Sequence, residues 1–348
     1  VSTIGDNRAA SIFDHQAERM RDLVVAASRM SPARTPNAKS FILAVLTGAL
    51  SGDAALSDAT LLQVLCNEAV ACAEANEPEA AFAWGRAAYV AQRRFAHAWL
   101  LPLRFAFAAG KLKQTELQKP TPSEAHVIAN IPQHIFQYWD TELIPPDVKF
   151  LMNEWGSQQN FAYTLLSDTA SRHFIFLQYG KNSLDLYDSL PVAASKSDLL
   201  RLFWLLHHGG IYIDADERRH GDLSTLLPRQ AGLVLNWTDA STPCINNWFI
   251  ASRPGHPLLQ RALRLAMDHI AGAKERRMAP SAWILTGPGV FTMAFMDLLC
   301  MSEVASTTLA DVYFHSEADF RTAVQSEPNL LYKSDPSKNW RFSHYSWS

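Results

Sequence analysis

Residues 195–216 constrain the fold more than any other stretch of this chain. An apolar helical run, Ser195–His208, breaks at Gly209-Gly210 and passes into the short strand Ile211-Tyr212-Ile213, which ends in Asp214-Ala215-Asp216. A strand this apolar belongs inside a sheet, with helices on both faces. In open α/β sheets, ligands bind beyond the carboxyl ends of the strands. The two aspartates are therefore expected where a site would lie. Their mutual repulsion is relieved by a cation. Mg²⁺ or Mn²⁺ takes few protein carboxylates and completes its shell from water and substrate phosphates. The pair points to metal–diphosphate chemistry, although a lone Asp-x-Asp is also common in surface turns.

The preceding helix carries Asp198 and Arg201, three positions apart and so on one face. Leu199, Leu200, Phe203, Trp204 and Leu206 make the rest of it apolar. A carboxylate and a guanidinium on a buried helix must pair or face a polar cavity. A structural ion pair and a ligand-holding pair remain equally compatible with the spacing.

The chain changes character near residue 125, which suggests a helical N-terminal domain over 1–125 and an α/β domain over 126–348. In the first part, Ser40–Leu50, Ala59–Ala75 and Pro78–Ala109 have helical apolar spacing and abundant Ala, with Asn76-Glu77-Pro78 as a turn and Pro102 as a break. No second copy at a fixed period marks a repeat. Lys111–Ser123, polar and holding Pro120 and Pro122, is expected as a linker. Beyond it, candidate strands (Ile131–Trp139, Phe161–Leu166, Ile211–Ile213, Gly232–Trp237, Trp248–Ser252) alternate with candidate helices (Pro146–Gln159, Asp168–Tyr179, Ser195–His208, Pro257–Ala273). Such alternation predicts a mostly parallel sheet with flanking helices.

Charge narrows the function classes. With a net charge of −3 and no basic run longer than the interrupted Lys274, Arg276, Arg277, the chain has no nucleic-acid footprint, and that cluster is expected at a solvated helix end. Cys66, Cys72, Cys244 and Cys300 form no C-x-x-C pair and are expected as thiols. Residues 1–22 are charged, without the apolar stretch of a signal peptide. Ala279–Met301 contains Pro280, Thr286-Gly287-Pro288-Gly289 and Asp297, which argues against a membrane span. A cytoplasmic protein is expected. Peripheral contact with the inner membrane and secretion as an effector are both compatible with it.

The string Ser197-Asp198-Leu199-Leu200-Arg201 through Gly209-Gly210-Ile211-Tyr212-Ile213-Asp214-Ala215-Asp216 resembles the signature of DXD-containing glycosyltransferases. It is most similar to the family of the yeast initiating mannosyltransferase and its bacterial relatives, and shares its spacing with the clostridial toxin glucosyltransferase domains. Ile131-Pro132-Gln133-His134-Ile135-Phe136-Gln137-Tyr138-Trp139 is similar to that family's first strand, with Phe136 where His is usual. Asn246–Pro257, Thr286-Gly287-Pro288 and His344-Tyr345-Ser346-Trp347 resemble its later elements.

The resemblance implies a GT-A fold: an α/β, Rossmann-like sheet with one nucleotide-sugar site. It implies Asp216 as a direct metal ligand and Asp214 at the ribose or metal shell. The ion would be Mn²⁺ (or Mg²⁺), with His344 completing its shell. Asp198 and Arg201 would hold the donor sugar and Tyr212 would line its pocket. Trp139 would stack on the base, Asn247 would lie near the sugar, and Ser346 and Trp347 would close over the diphosphate. His256, before Pro257 at a helix start, is expected to be structural. The implied function is retaining transfer of a hexose from a UDP- or GDP-sugar to a glycan, lipopolysaccharide, capsule, lipid-linked or protein acceptor. A toxin-like effector acting on a host protein and a degenerate transferase serving as a scaffold are the alternatives.

Overall fold

A computed structural model describes residues 58–91, 130–238, 244–277, 281–301 and 309–334. The chain divides into two compact units, Val1–Leu112 with Cys300–Ser302 and Lys113–Leu299 with Glu303–Ser348. In the first, α1 (Asp58–Glu74) packs on α2 (Pro78–Ala91). Between them Asn76 takes a left-handed φ of 59°. Trp84, Tyr89, Ala80, Ala81, Ala83, Ala87 and Ala88 of α2 are buried. The helix expected at Ser40–Leu50, the remainder of Pro78–Ala109 and the linker Lys111–Ser123 lie outside the described residues.

The second unit is built on a six-stranded sheet of order β2-β1-β3-β6-β5-β7. Its strands are β1 (His134–Tyr138), β2 (Ala162–Leu166), β3 (Gly210–Ile213), β5 (Leu233–Thr238), β6 (Cys244–Ser252) and β7 (Val312–Ser316). A ribbon of β4 (Glu217–Arg219) and β8 (Val324–Ser326) stands beside it. β1 runs parallel to β2 and β3, and β5 runs parallel to β7, while β6 runs antiparallel to both its neighbours. The carboxyl ends of the other five strands therefore share one edge. This is the expected α/β architecture, a mostly parallel sheet with flanking helices.

Both faces are covered. On one, Ile135, Ile211 and Val234 pack with Trp155, Phe249 and Phe320. Trp155 comes from α3 (Pro146–Gly156). On the other, α5 (Ala193–His208) lays Leu199–Leu205, all buried, against the sheet and packs on α4 (Asp168–Asp188) and α6 (Pro257–Glu275). Phe136, the departure from the family strand, is a core residue there, 5.1 Å from the Tyr212 ring and 5.4 Å from that of Trp204.

The junction of α5 and β3 explains the glycine pair. Gly209 (φ 67°) ends the helix, its N–H returning to the Leu205 carbonyl, and Gly210 has φ 98°. A Cβ on Gly210 would fall 2.5 Å from the His134 carbonyl oxygen. Only glycine combines that backbone with so close an approach.

Several limits move. The helix expected to stop at Tyr179 resumes beyond a kink at Gly180 (φ 80°) and reaches Asp188. β6 begins at Cys244, four residues before the expected Trp248, because its first half pairs with β5 past a bulge at Leu235/Asn236. β7 and the β4·β8 ribbon have no counterpart in the sequence pattern. Lys274, Arg276 and Arg277 are exposed at the end of α6, as expected. The four cysteines are thiols, Cys66 half-buried and the others buried, and burial pushes Cys66 and Cys244 up to about 11. Ala282–Cys300 is long and apolar enough to cross a membrane, but 72% of it is buried inside the protein. It is broken into α7 (Ala282–Leu285) and α8 (Pro288–Met301), as suits core helices.

Candidate active site

At the carboxyl edge, one turn of α5 meets the end of β3 and the middle of β6. Asp198 is 8% exposed and Arg201 3% exposed, so neither charge can rely on water. Their partners replace it. An Arg201 terminal nitrogen stands 3.0 Å from Asp198 Oδ1 and 3.3 Å from Asp214 Oδ1. Its Nε donates to the Ser197 carbonyl at 3.2 Å, and another terminal nitrogen donates to the Asn247 carbonyl. The guanidinium also lies 4.0 Å over the Tyr212 ring, a cation–π contact that a desolvated site strengthens.

Asp198 has both oxygens engaged. Asn247 Nδ2 donates to Oδ1 at 2.8 Å, and Thr286 Oγ1 donates to Oδ2 at 3.0 Å. Burial raises its pKa, against the opposing pull of Arg201, Thr286 and Asn247. Burial likewise works against the charge of Arg201, but Tyr212, Asp214 and Asp198 outweigh it and raise its pKa.

Asp214 is pinned by its backbone, whose N–H donates to the Trp248 carbonyl at 2.9 Å, and by the Tyr212 hydroxyl, which donates to Oδ1 at 2.5 Å. Gln137, itself held by Tyr163, donates to its carbonyl at 3.2 Å. Burial pushes Asp214 up to about 7, opposed by Arg201 and reinforced by Asp216. Tyr212, 1% exposed, meets this cluster through its hydroxyl on Asp214 and through its ring under Arg201.

Asp216 is held differently. Its Oδ2 accepts from the Tyr332 hydroxyl at 2.8 Å and faces Lys333 Nζ at 2.8 Å. Both partners come from the 3₁₀ turn Leu331–Ser334. Trp139 packs with Ala215, Val148, Leu151 and Met152, and its ring meets Tyr332 edge-on at 5.4 Å. Neighbouring Glu217 is buried and bound by Ser326 at 2.7 Å and Arg321 at 3.4 Å. Burial, with Asp216 and Asp214 nearby, pushes it up to about 7.

Asp198, Arg201, Tyr212, Asp214 and Asn247 thus form one cluster, and Trp139 and Asp216 form an adjoining corner. His344, Ser346 and Trp347 lie outside the described residues. His256 caps α6, its Nδ1 accepting from the Leu258 N–H at 3.2 Å while Nε2 meets Asp311 at 3.3 Å, a structural role. Sequence reasoning did not select Ser197, Thr286, Tyr332 or Lys333 for the site. Ser197 and Thr286 lay inside quoted motifs and were open to selection, whereas Tyr332 and Lys333 carried no local signal.

Among the described residues, no set of three His, Cys, Asp or Glu side chains converges as a metal-binding group. The residues present still fit a divalent ion that takes few protein ligands. Two carboxylates share the strand end, their repulsion contributes to the raised pKa of Asp214, and Asp216 already attracts one cation, the Lys333 ammonium.

A buried charged cluster thus lies at the carboxyl edge of an α/β sheet, beside paired aspartates that follow a buried strand. Residues 126–232 match the family described as glycosyltransferase sugar-binding region containing DXD motif, and the chain carries that region. The initiation-specific α-1,6-mannosyltransferase of Schizosaccharomyces pombe is 27% identical over 49% of this chain and 49% of its own length. Inositol phosphoceramide mannosyltransferase 3 of the same yeast is 32% identical over 39% of this chain and 37% of its own. The chain thus spans about half or less of the curated relatives it matches. A solved structure, PaToxG glycosyltransferase, superposes on 52% of this chain and 73% of its own at a TM-score of 0.38 and 18% identity.

Proposed function

We infer that this chain is a metal-dependent glycosyltransferase that moves a hexose from a nucleotide-diphosphate sugar with retention at the anomeric carbon. The observation that carries this is the junction of a saturated, buried Asp198–Arg201–Asn247 cluster with the cation-attracting Asp216 at one strand end. Asp214 and Asp216 would hold Mn²⁺ or Mg²⁺, which supplies Lewis-acid neutralisation of the departing diphosphate. The two mannosyltransferases it resembles make a mannosyl donor the first to test.

Asp198 and Arg201 are rigid enough to orient sugar hydroxyls, since each is fixed by several neighbours. Trp139 offers a ring for the base. The engagement of Asp198 on both oxygens, and of Asp214 Oδ1 by Tyr212 and Arg201, disfavours either as a covalent nucleophile. Front-side displacement fits better. The bond from the anomeric carbon to phosphate oxygen breaks, the acceptor oxygen bonds on the same face, and its proton passes to the departing phosphate oxygen. The helical N-terminal part, read as a domain over 1–125, would serve the acceptor or its surface.

The purified chain, offered GDP-mannose, UDP-glucose, UDP-galactose and UDP-N-acetylglucosamine, is expected to hydrolyse at least one slowly, and only with Mn²⁺ or Mg²⁺. Asp216→Ala should lower that turnover about 10²–10³-fold with an unchanged urea midpoint, because the side chain is not part of the core. Full activity in that variant, or metal-independent turnover, would overturn the site. Trapping a sugar on an aspartate or glutamate would overturn front-side displacement.

A further inference from the structure

The turn Leu331–Ser334 lies over the corner formed by Trp139 and Asp216, and five contacts hold it. The Leu331 N–H donates to Asp147 Oδ2 at 2.8 Å, and the Tyr332 hydroxyl donates to Asp216 Oδ2 at 2.8 Å. The Tyr332 ring meets Trp139 at 5.4 Å. Lys333 Nζ lies 2.8 Å from the same Asp216 oxygen and 2.6 Å from the Glu327 carbonyl oxygen. The β4·β8 ribbon, pinned by Glu217 to Ser326 and Arg321, delivers this segment to the site.

One carboxylate oxygen here serves a phenol and an ammonium. A divalent ion on that carboxylate and the Lys333 charge would repel one another at such range. A diphosphate arriving with the ion brings the acceptor oxygens that an ammonium on a flexible four-carbon stem can take instead. Both groups of this pair keep some solvent, with side chains 26% and 20% exposed, so the pair is not locked in a dry interior. A pair that keeps some water is more readily exchanged than one sealed in the core.

Resting on the donor reading above, we propose that Lys333 is a diphosphate-binding residue, stored on Asp216 as its counter-ion and transferred to the donor diphosphate on binding. Lys333 then opposes metal binding when no nucleotide is present and supports nucleotide binding when the metal is present. A purely structural ion pair cannot produce these opposite signs.

The test uses the full chain and Lys333→Met, which keeps the stem and removes the charge. Mn²⁺ binding alone is measured by calorimetry, followed by UDP and GDP binding at saturating Mn²⁺. The variant should bind Mn²⁺ several-fold more tightly and the nucleoside diphosphate about tenfold more weakly, a difference of about 1.4 kcal/mol. Lys333→Arg should retain nucleotide binding, which separates charge loss from misfolding. On adding Mn²⁺ and nucleotide to the wild type, exchange of the Leu331 amide should change as the turn is rearranged. Equal nucleotide affinity in Lys333→Met, or weaker binding of both Mn²⁺ and nucleotide, overturns the proposal while leaving the donor site standing. A wild-type chain that binds neither Mn²⁺ nor nucleotide overturns the donor reading and this proposal together.

Discussion

Asp214 and Asp216 stand two positions apart, yet their keepers come from opposite ends of the domain's logic. Asp214 is held by Tyr212 on its own strand and by Arg201 on the helix before it. Asp216 is held by Tyr332, 116 positions further along, and by Lys333 beside it. Each pair meets its aspartate on a single carboxylate oxygen, but Tyr212 and Arg201 are buried whereas Tyr332 and Lys333 are partly exposed. The contrast separates a framework, set before any ligand arrives, from a corner whose partners can be exchanged. A site of this kind places its rigid half where the sugar must be oriented and its replaceable half where the charged diphosphate must enter and leave.

The most forceful way to break that comparison is to remove a framework charge. Asp198→Ala leaves Arg201 short of a buried partner, and Asn247 and Thr286 short of an acceptor. It should cost about 3–5 kcal/mol in a urea titration, whereas Asp216→Ala should cost almost nothing. Similar costs for the two would erase the distinction. A smaller effect should follow Trp139→Ala. Loss of a base-stacking ring should weaken UDP and GDP binding alike by about 1–3 kcal/mol. A loss confined to one of the two bases would show that edge contacts, and not stacking, dominate there.

The smallest effect provides a control far from the site. Asp311, bonded to His256 and Arg253, is held down to about 2 from 3.8. A carboxylate with a depressed folded pKa contributes stability that is complete above the unfolded value and is lost as pH falls from near 4 toward 2. Burial also keeps His256 below its usual value, so its protonation opposes folding in the same direction, beginning below about pH 6.5. Discounted for solvent screening, the Asp311 contribution should be roughly 1 kcal/mol. Asp311→Asn should flatten the loss of urea stability between pH 5 and about 2.5 while leaving nucleotide affinity unchanged. An altered affinity would mean that the amino edge of the sheet is coupled to the site.

Most of the framework was legible because its signals are local. Helical spacing marked α5, the Gly209-Gly210 pair marked a break that only positive φ could make, and apolar Ile211–Ile213 marked a buried strand. Asp198 and Arg201 showed themselves as charges on an otherwise apolar helix. The exchangeable corner was half legible. Trp139 and Asp216 stood out by residue type and position, but nothing around Tyr332 or Lys333 distinguishes them from ordinary surface residues. Strand direction was hidden too: the apolar pattern of β6 is the same whichever way it runs, and only pairing with β3 and β5 makes it antiparallel.

By itself, then, the sequence determined the alternation of strands and helices, the buried charges of α5 and the acidic end of β3, since these follow from periodicity and backbone sterics over a few residues. Only the tertiary structure decided that Thr286 and Asn247 would complete the partners of Asp198, and that Lys333 would neutralise Asp216. Those pairings close loops of many tens of residues. Their free energy comes from satisfying charges that burial has stripped of water, a condition that does not exist until the sheet has formed.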